Sequence, residues 1–206
     1  MKLAPILAAI GLTNLLLGGA AQAATTTVTF NGLPGPNGAV FTGPYTEGGF
    51  SVSATAGQVF EGTVFGNGNP APSLVVGSVF GGGPNGTVSV TDGGSNFSLT
   101  SFDLAGNNGA ADFTVTGFEG ASQIFSFSGS VNAGFVVFQT VTGLTAKIND
   151  VTFALTSNGT SLNLDNIVLG TAIPETSTWA MMLLGCAGLG LVGYRQTIRR
   201  VKPQAI

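Results

Sequence analysis

The chain has 206 residues, 44% of them hydrophobic and only 7% charged, with six basic and nine acidic side chains for a formal net charge of -3. Histidine is absent and cysteine occurs once, at Cys186. This excludes an intramolecular disulfide, histidine-based zinc sites and every Ser-His-Asp or Cys-His arrangement.

Lys2 opens the chain as a short basic region, and Leu3 to Ala20 is apolar. Ala21-Gln22-Ala23 then supplies the small-x-small pattern of a secretory cleavage site. Residues 1–23 are therefore expected to be a signal peptide with a helical apolar segment, cut between Ala23 and Ala24. The partners this implies are the Sec translocon and signal peptidase.

Residues 24–170 carry short alternating runs separated by Gly, Asn, Asp and Pro, and no helical period. "TTTVTF", ending at Phe30, opens the series. "GFSVSATA" places Phe50, Val52 and Ala54 on one side, and "SLVVGSVF" and "GTVSVTD" follow. In "NFSLTSFDLAG" the apolar parity moves from Phe97 and Leu99 to Phe102 and Leu104, which predicts a β-bulge near Ser101. "DFTVTGF", "QIFSFSGSV", "GFVVFQTV" and "AKINDVTFAL" continue the pattern. In the last run, "SLNLDNIVLG", Leu162 and Leu164 share one parity and Ile167 and Leu169 the other, so a kink is expected at Asp165-Asn166. "NGLPGPNG", "GNGNPAPS" and "GGGPNG" read as loops, because Gly supplies positive φ and Pro fixes φ. "GGGPNG" lacks the lysine and the following helix of a phosphate loop. The expected fold is mainly β, an antiparallel sandwich, with a core large enough to need no metal or disulfide.

Residues 171–173 form a linker. No charge then occurs between Glu175 and Arg195. A membrane span needs about 20 mostly apolar residues, and residues 177–194 just meet that, with Trp179 and Tyr194 near the two ends as interfacial aromatics. Arg195, Arg199, Arg200 and Lys202 follow. By the positive-inside rule they mark a cytoplasmic end, which includes residues 201–206, and put the body outside the inner membrane. Cys186 lies inside the span as a small apolar residue, and with Gly190 and Gly193 offers a small-residue face.

Pro174-Glu175, then Trp179-Ala180, then a Gly-rich apolar stretch, then Arg195, Arg199 and Arg200, resembles the PEP-CTERM sorting tail of the PEPxxWA subtype. Thr176 stands where that family usually has proline. The resemblance covers residues 174–200. It implies an exported protein of an exopolysaccharide-producing Gram-negative bacterium, processed by an exosortase-type membrane enzyme and then released to the envelope or matrix. The middle of the chain, on "NFSLTSFDLAG", "ADFTVTGFEG" and "LNLDNIVLG", looks like the jelly-roll ectodomain of such proteins, which is similar to carbohydrate-binding sandwiches.

Between Ala24 and Ile173 the acids are Glu47, Glu61, Asp92, Asp103, Asp112, Glu119, Asp150 and Asp165, and Lys147 is the only base. That composition disfavours nucleic acid as a partner. Asp165 and Asn166, with Asp103, present oxygens for a sugar hydroxyl or for calcium, which takes six to eight oxygen ligands. The same side chains readily hold backbone N–H groups at a bulge, which is the use expected of them first. Calcium is the one cofactor that this pattern allows, and no EF-hand spacing is present. Asp92, before a Gly-Gly pair, reads as a hairpin turn. Tyr45 is the single tyrosine of the body, which has no tryptophan. It suits either a sugar platform or a plug at the sandwich rim. Two convergent carboxylates would be needed for glycoside hydrolysis, and nothing in the order of residues brings a pair together. Three readings follow: a non-catalytic envelope or matrix protein, which is the main one; a carbohydrate- or calcium-binding module; and a matrix protein that assembles through its sheet edges.

Overall fold

The computed structural model describes residues 24–64, 67–134, 137–171 and 182–188. The expected signal peptide, with Ala21 and Ala23, lies outside these residues. So do Pro174, Glu175, Thr176, Trp179, Ala180, Arg195, Arg199 and Arg200. Residues 182–188 form a short helix with Met182, Leu183 and Leu184 exposed. Among the described residues no helix is long and apolar enough to cross a membrane, and the remainder of the expected span lies outside them.

Residues 24–171 fold as two stacked antiparallel sheets. The strands in chain order are β1 (Thr25–Val28), β2 (Val40–Phe41), β3 (Tyr45–Glu47), β4 (Phe50–Gly57), β5 (Val59–Gly62), β6 (Ser73–Gly77), β7 (Asn85–Thr91), β8 (Phe97–Asn107), β9 (Ala111–Glu119), β10 (Ser122–Val131), β11 (Gln139–Thr142), β12 (Asp150–Ser157) and β13 (Ser161–Thr171). One sheet runs β11-β8-β13-β6-β5-β2, with β1 also paired to β13; the other runs β10-β9-β12-β7-β4-β3. From β4 onward the chain passes repeatedly from one sheet to the other, the jelly-roll-like winding expected.

The inner faces follow from alternation. On β9, Phe113 and Val115 are buried and Asp112, Thr114 and Thr116 are not. On β12, Val151, Phe153 and Leu155 point inward. These side chains join Val52, Val88 and Val90 from the same sheet, and Leu74, Val76, Phe102, Leu104, Leu162 and Leu164 from the facing sheet, in one core. Phe102 meets Phe113 at 5.4 Å and Phe153 at 5.1 Å, both edge to face, the arrangement that ring quadrupoles favour.

Both expected irregularities occur, and on paired strands. Asp165 is level with Asp103, Val168 with Ser101, and Leu169 with Leu99, so β13 carries an extra residue first and β8 carries one at Thr100. Asn166 sits at φ 45°, a left-handed conformation that asparagine tolerates. The two bulges compensate, so Phe97, Leu99, Phe102, Leu104, Leu162, Leu164, Ile167 and Leu169 all reach the core.

Three expectations need correction. "SLVVGSVF" is a strand only to Gly77; Ser78–Phe80 is a 3-10 turn. Gly77 adopts φ 142°, and a Cβ there would lie 2.4 Å from the Ser161 Cα, so the strand ends at a place only glycine fits. The Asp92-Gly93-Gly94 turn does form, with Gly93 at φ 53° and Gly94 at φ 93°. It is not a hairpin, because β7 and β8 belong to different sheets. "AKINDVTFAL" is a strand only from Asp150, with Ile148 making an isolated bridge to Phe97 before it; the sandwich also has the short strands β2, β3 and β5, which lie among turn residues.

Candidate functional site

The two sheets differ in what covers their outer faces. On the sheet that contains β8 and β13, Phe60, Val75, Asn163 and Ala105 stand side by side across four strands. In the next row Thr140, Asp103 and Asp165 are neighbours. These positions have the parity opposite to the core, yet none of Phe60, Val75, Asn163, Ala105, Asp103 and Asp165 is more than 8% exposed. Loops cover them. Phe80 of the 3-10 turn packs on Phe60 at 5.6 Å. Ala133 bridges to Gly106, whose carbonyl accepts from the Gly134 N–H at 2.8 Å. The loop before β6, in which the Asn69–Pro70 and Ala71–Pro72 bonds are cis, docks through Asn69.

The structure thus brings Asp103, Asp165 and Asn166 together and uses them within the fold. Asp165 Oδ2 accepts the Asn69 N–H at 2.6 Å and its Oδ1 accepts the Asn166 N–H at 2.7 Å. The Asn166 amide donates to the Asn69 carbonyl at 2.7 Å and to Asp103 Oδ2 at 3.0 Å. Asp103 Oδ1 accepts from the Thr140 hydroxyl at 2.7 Å. Burial, the largest cause, and the nearby charge of Asp103 raise the Asp165 carboxyl to about 7, against the two backbone N–H bonds that lower it. The arrangement is a clasp that ties the loop to the sheet. Among the described residues no group of three or more acidic, histidine or cysteine side chains is placed to hold a metal.

Tyr45 is half-buried at the rim of the sandwich. Its ring lies 5.7 Å from that of Phe30. Its hydroxyl accepts the Gly32 N–H at 3.1 Å and donates to Glu47 at 3.0 Å. Burial, ahead of the bond to Glu47, raises its pKa. Glu47 also takes the N–H groups of Thr29 and Phe30 at 2.8 and 2.9 Å, so this pair closes the end of the sandwich. A cleft of about 470 Å³ adjoins it, lined by Pro34, Pro44 and Glu61 among others. Lys147 lies 3.9 Å from Glu119 with both side chains about half exposed, a pair worth little.

The other sheet leaves its outer face open. Ser126, Thr116, Thr152, Ser89 and Ser53 form one row across five strands. Ser128, Thr114, Ala154 and Thr87 form the next, and Ser130, Asp112, Thr156 and Asn85 a third. Strand geometry sets such groups about 4.8 Å apart between strands and about 7 Å apart along them. Thr114 and Ser128 share a hydrogen bond of 2.7 Å, and Thr116 and Ser126 one of 3.1 Å. Exposed Ala154, among longer neighbours, helps leave an open depression of about 540 Å³ bordered by Asp112, Thr114, Ser128 and Thr156. Hydrogen bonds from Ser130 and Asn158 hold the Asp112 carboxyl below its ordinary value. At the far end of β9, partly buried Phe118 has the same outward parity and is level with Asp150. None of these residues was singled out as a candidate from the sequence. The signal was there, as "FTVTGF" and "FSFSGS" alternate phenylalanine with small or hydroxyl residues.

No protein-family description matches the chain, and no curated protein does. Among solved structures it is similar to a family 29 carbohydrate-binding module from Piromyces equi, at 13% identity over 74% of this chain and 93% of that one, with a TM-score of 0.44. A second family 29 carbohydrate-binding module matches at 12% identity over 74% of this chain and 91% of that chain, with a TM-score of 0.41. An exo-β-agarase structure matches at 12% identity over 66% of this chain and 25% of that chain, also at 0.41. At these scores the pairings say nothing about what this chain binds.

Proposed function

We propose that this chain is an exported, non-catalytic envelope protein whose sandwich body binds neutral polysaccharide on the open face of the six-stranded sheet. The observation that carries the binding reading is that face itself: rows of Ser and Thr hydroxyls, few charges, and Phe118 at one end. A hydroxyl is both donor and acceptor, as is each hydroxyl of a sugar, so the two surfaces are complementary without charge. Phe118 offers an apolar surface for a sugar ring. The non-catalytic reading is supported by the acids that do converge, Asp103 and Asp165, because both are covered and occupied by hydrogen bonds of the fold.

Binding is tested by titrating the full chain with neutral polysaccharides and oligosaccharides, then repeating with Phe118→Ala and with Thr116→Val/Thr152→Val. The expected result is binding that weakens about tenfold or more in each variant, the loss of a ~1.4 kcal/mol contribution, with the thermal midpoint little changed. If no neutral glycan binds, or the variants bind as the parent does, the reading is wrong.

The export and sorting part rests on the sequence pattern at both ends. It is tested by intact mass and fractionation in hosts with and without an exosortase-type enzyme. Loss of the tail only where the enzyme is present is the expected outcome. A tail retained in both would leave a simple single-span protein.

A further inference from the structure

The strands paired on one side only are protected very unequally. β2 has two residues, β3 three, and β1 and β11 four each, and short edges are one way proteins prevent unwanted strand pairing. β3 is further guarded by Pro44 just before it and by the Tyr45–Glu47 clasp. β10 has ten residues, "SQIFSFSGSV", with neither a charge nor a proline. Nothing pairs with its outer side among the described residues. A bulge at Ile124 interrupts its start, but Phe125 to Val131 run in unbroken register with Gly117 to Ala111. Along an antiparallel edge, alternate residues direct their N–H and C=O groups away from the sheet, so this stretch is an open template.

We infer that β10 is a self-association edge, on which a second copy of this chain pairs its own β10 antiparallel about a two-fold axis near Ser128. The occupant is a second copy because the segment is complementary to itself. In that register Ser128 faces Ser128 of the second copy, Ser126 faces Ser130, Phe127 faces Gly129 and Phe125 faces Val131. No charges oppose, and Ser126, Ser128 and Ser130 stay on the open face. Within one copy the Phe113 ring already lies over Gly129, where a Cβ would come within 2.5 Å of it, so Phe127 of the second copy would pack against that ring. Phe125 and Phe127, 6.1 Å apart and only half-buried against the core, would gain cover from the second copy. Such an isologous pairing joins two six-stranded sheets into one and doubles the hydroxyl face.

This inference stands apart from the glycan reading, since pairing can occur whether or not the face binds sugar. It is tested on the full chain in detergent with Cys186→Ser as background, by light scattering and oxidative cross-linking. The expected result is a twofold mass, a disulfide-linked dimer formed by Ser128→Cys but not by Ser89→Cys in mid-sheet, and loss of the dimer in a Ser128→Lys chain that remains folded by circular dichroism. A monomeric parent overturns it. So does a dimer that survives Ser128→Lys, which would place the contact elsewhere in the chain. Should Ser128→Lys unfold, the comparison of Ser128→Cys with Ser89→Cys decides alone, and failure of the former to cross-link overturns it.

Discussion

The outer faces of the two sheets both carry aspartates, and these have opposite fates. One is roofed by loops, so its Asp103, Asp165 and Asn166 become part of the interior. The other is open, so its Asp112, Thr114, Thr116 and Ser128 remain available to solvent. A polar residue on a strand is therefore no guide to function until its cover is known. Two aspartates show this in their acidity: burial pushes Asp165 up to about 7, while hydroxyl and amide donors pull Asp112 down.

The sharpest way to break the contrast is to remove a polar group from each face. Asp165→Ala leaves the Asn69 and Asn166 N–H groups without an acceptor under a roof. Each orphaned donor costs roughly 1–3 kcal/mol, for a total of about 2–6 kcal/mol. Thr152→Ala on the open face removes a group that water replaces, and is expected to stay within about 0.5 kcal/mol. Denaturant unfolding of the two variants measures the gap. Equal losses would mean that the two faces are not differently covered.

The pH dependence of stability is the next effect. Asp165 is protonated more readily in the folded chain than in the unfolded one, so the native state holds the extra proton between about pH 4 and 7. Stability accordingly falls as pH rises through that window, by up to about 4 kcal/mol, and levels off above it. The midpoint of thermal unfolding should be higher at pH 5 than at pH 8. Asp165→Asn should flatten this slope while lowering stability overall, since its amide keeps only one acceptor. A slope that persists in that variant would assign the proton to another group.

Much of this was legible along the chain, and the limit was always cover. The parity changes in "NFSLTSFDLAG" and "SLNLDNIVLG" locate both bulges, because an apolar side chain has one place to go and a register slip moves it. They also place Asp103 and Asp165 on an outer face. What alternation leaves out is the segment that lies across that face, because a loop such as "GNGNPAPS" has no period to read. Asp165 thus has the look of a ligand residue and is a loop anchor. The open face was missed for the complementary reason: Ser and Thr at alternate positions are what any half-solvated strand carries, and only the pairing register aligns Ser126, Thr116, Thr152, Ser89 and Ser53 into a row.

The smallest expected effect sharpens the comparison at the acid end. Asp112 is partly exposed on the open face, and its lowered pKa reflects bonds from Ser130 and Asn158 to its charged form. A depressed carboxyl contributes stability above its ordinary value of 3.8 and loses it as pH falls through the lowered one. Its slope is therefore opposite in sign to that of Asp165 and lies in a separate, more acidic window. In an Asp165→Asn background, where the larger slope is gone, a slight loss of stability below about pH 4 should remain, and Asn158→Ala should reduce it. Nuclear magnetic resonance titration of the Asp112 carboxyl checks the cause directly. A value at or above 3.8 would show that solvent on the open face outcompetes Ser130 and Asn158, leaving the hydroxyl rows less ordered than their register implies.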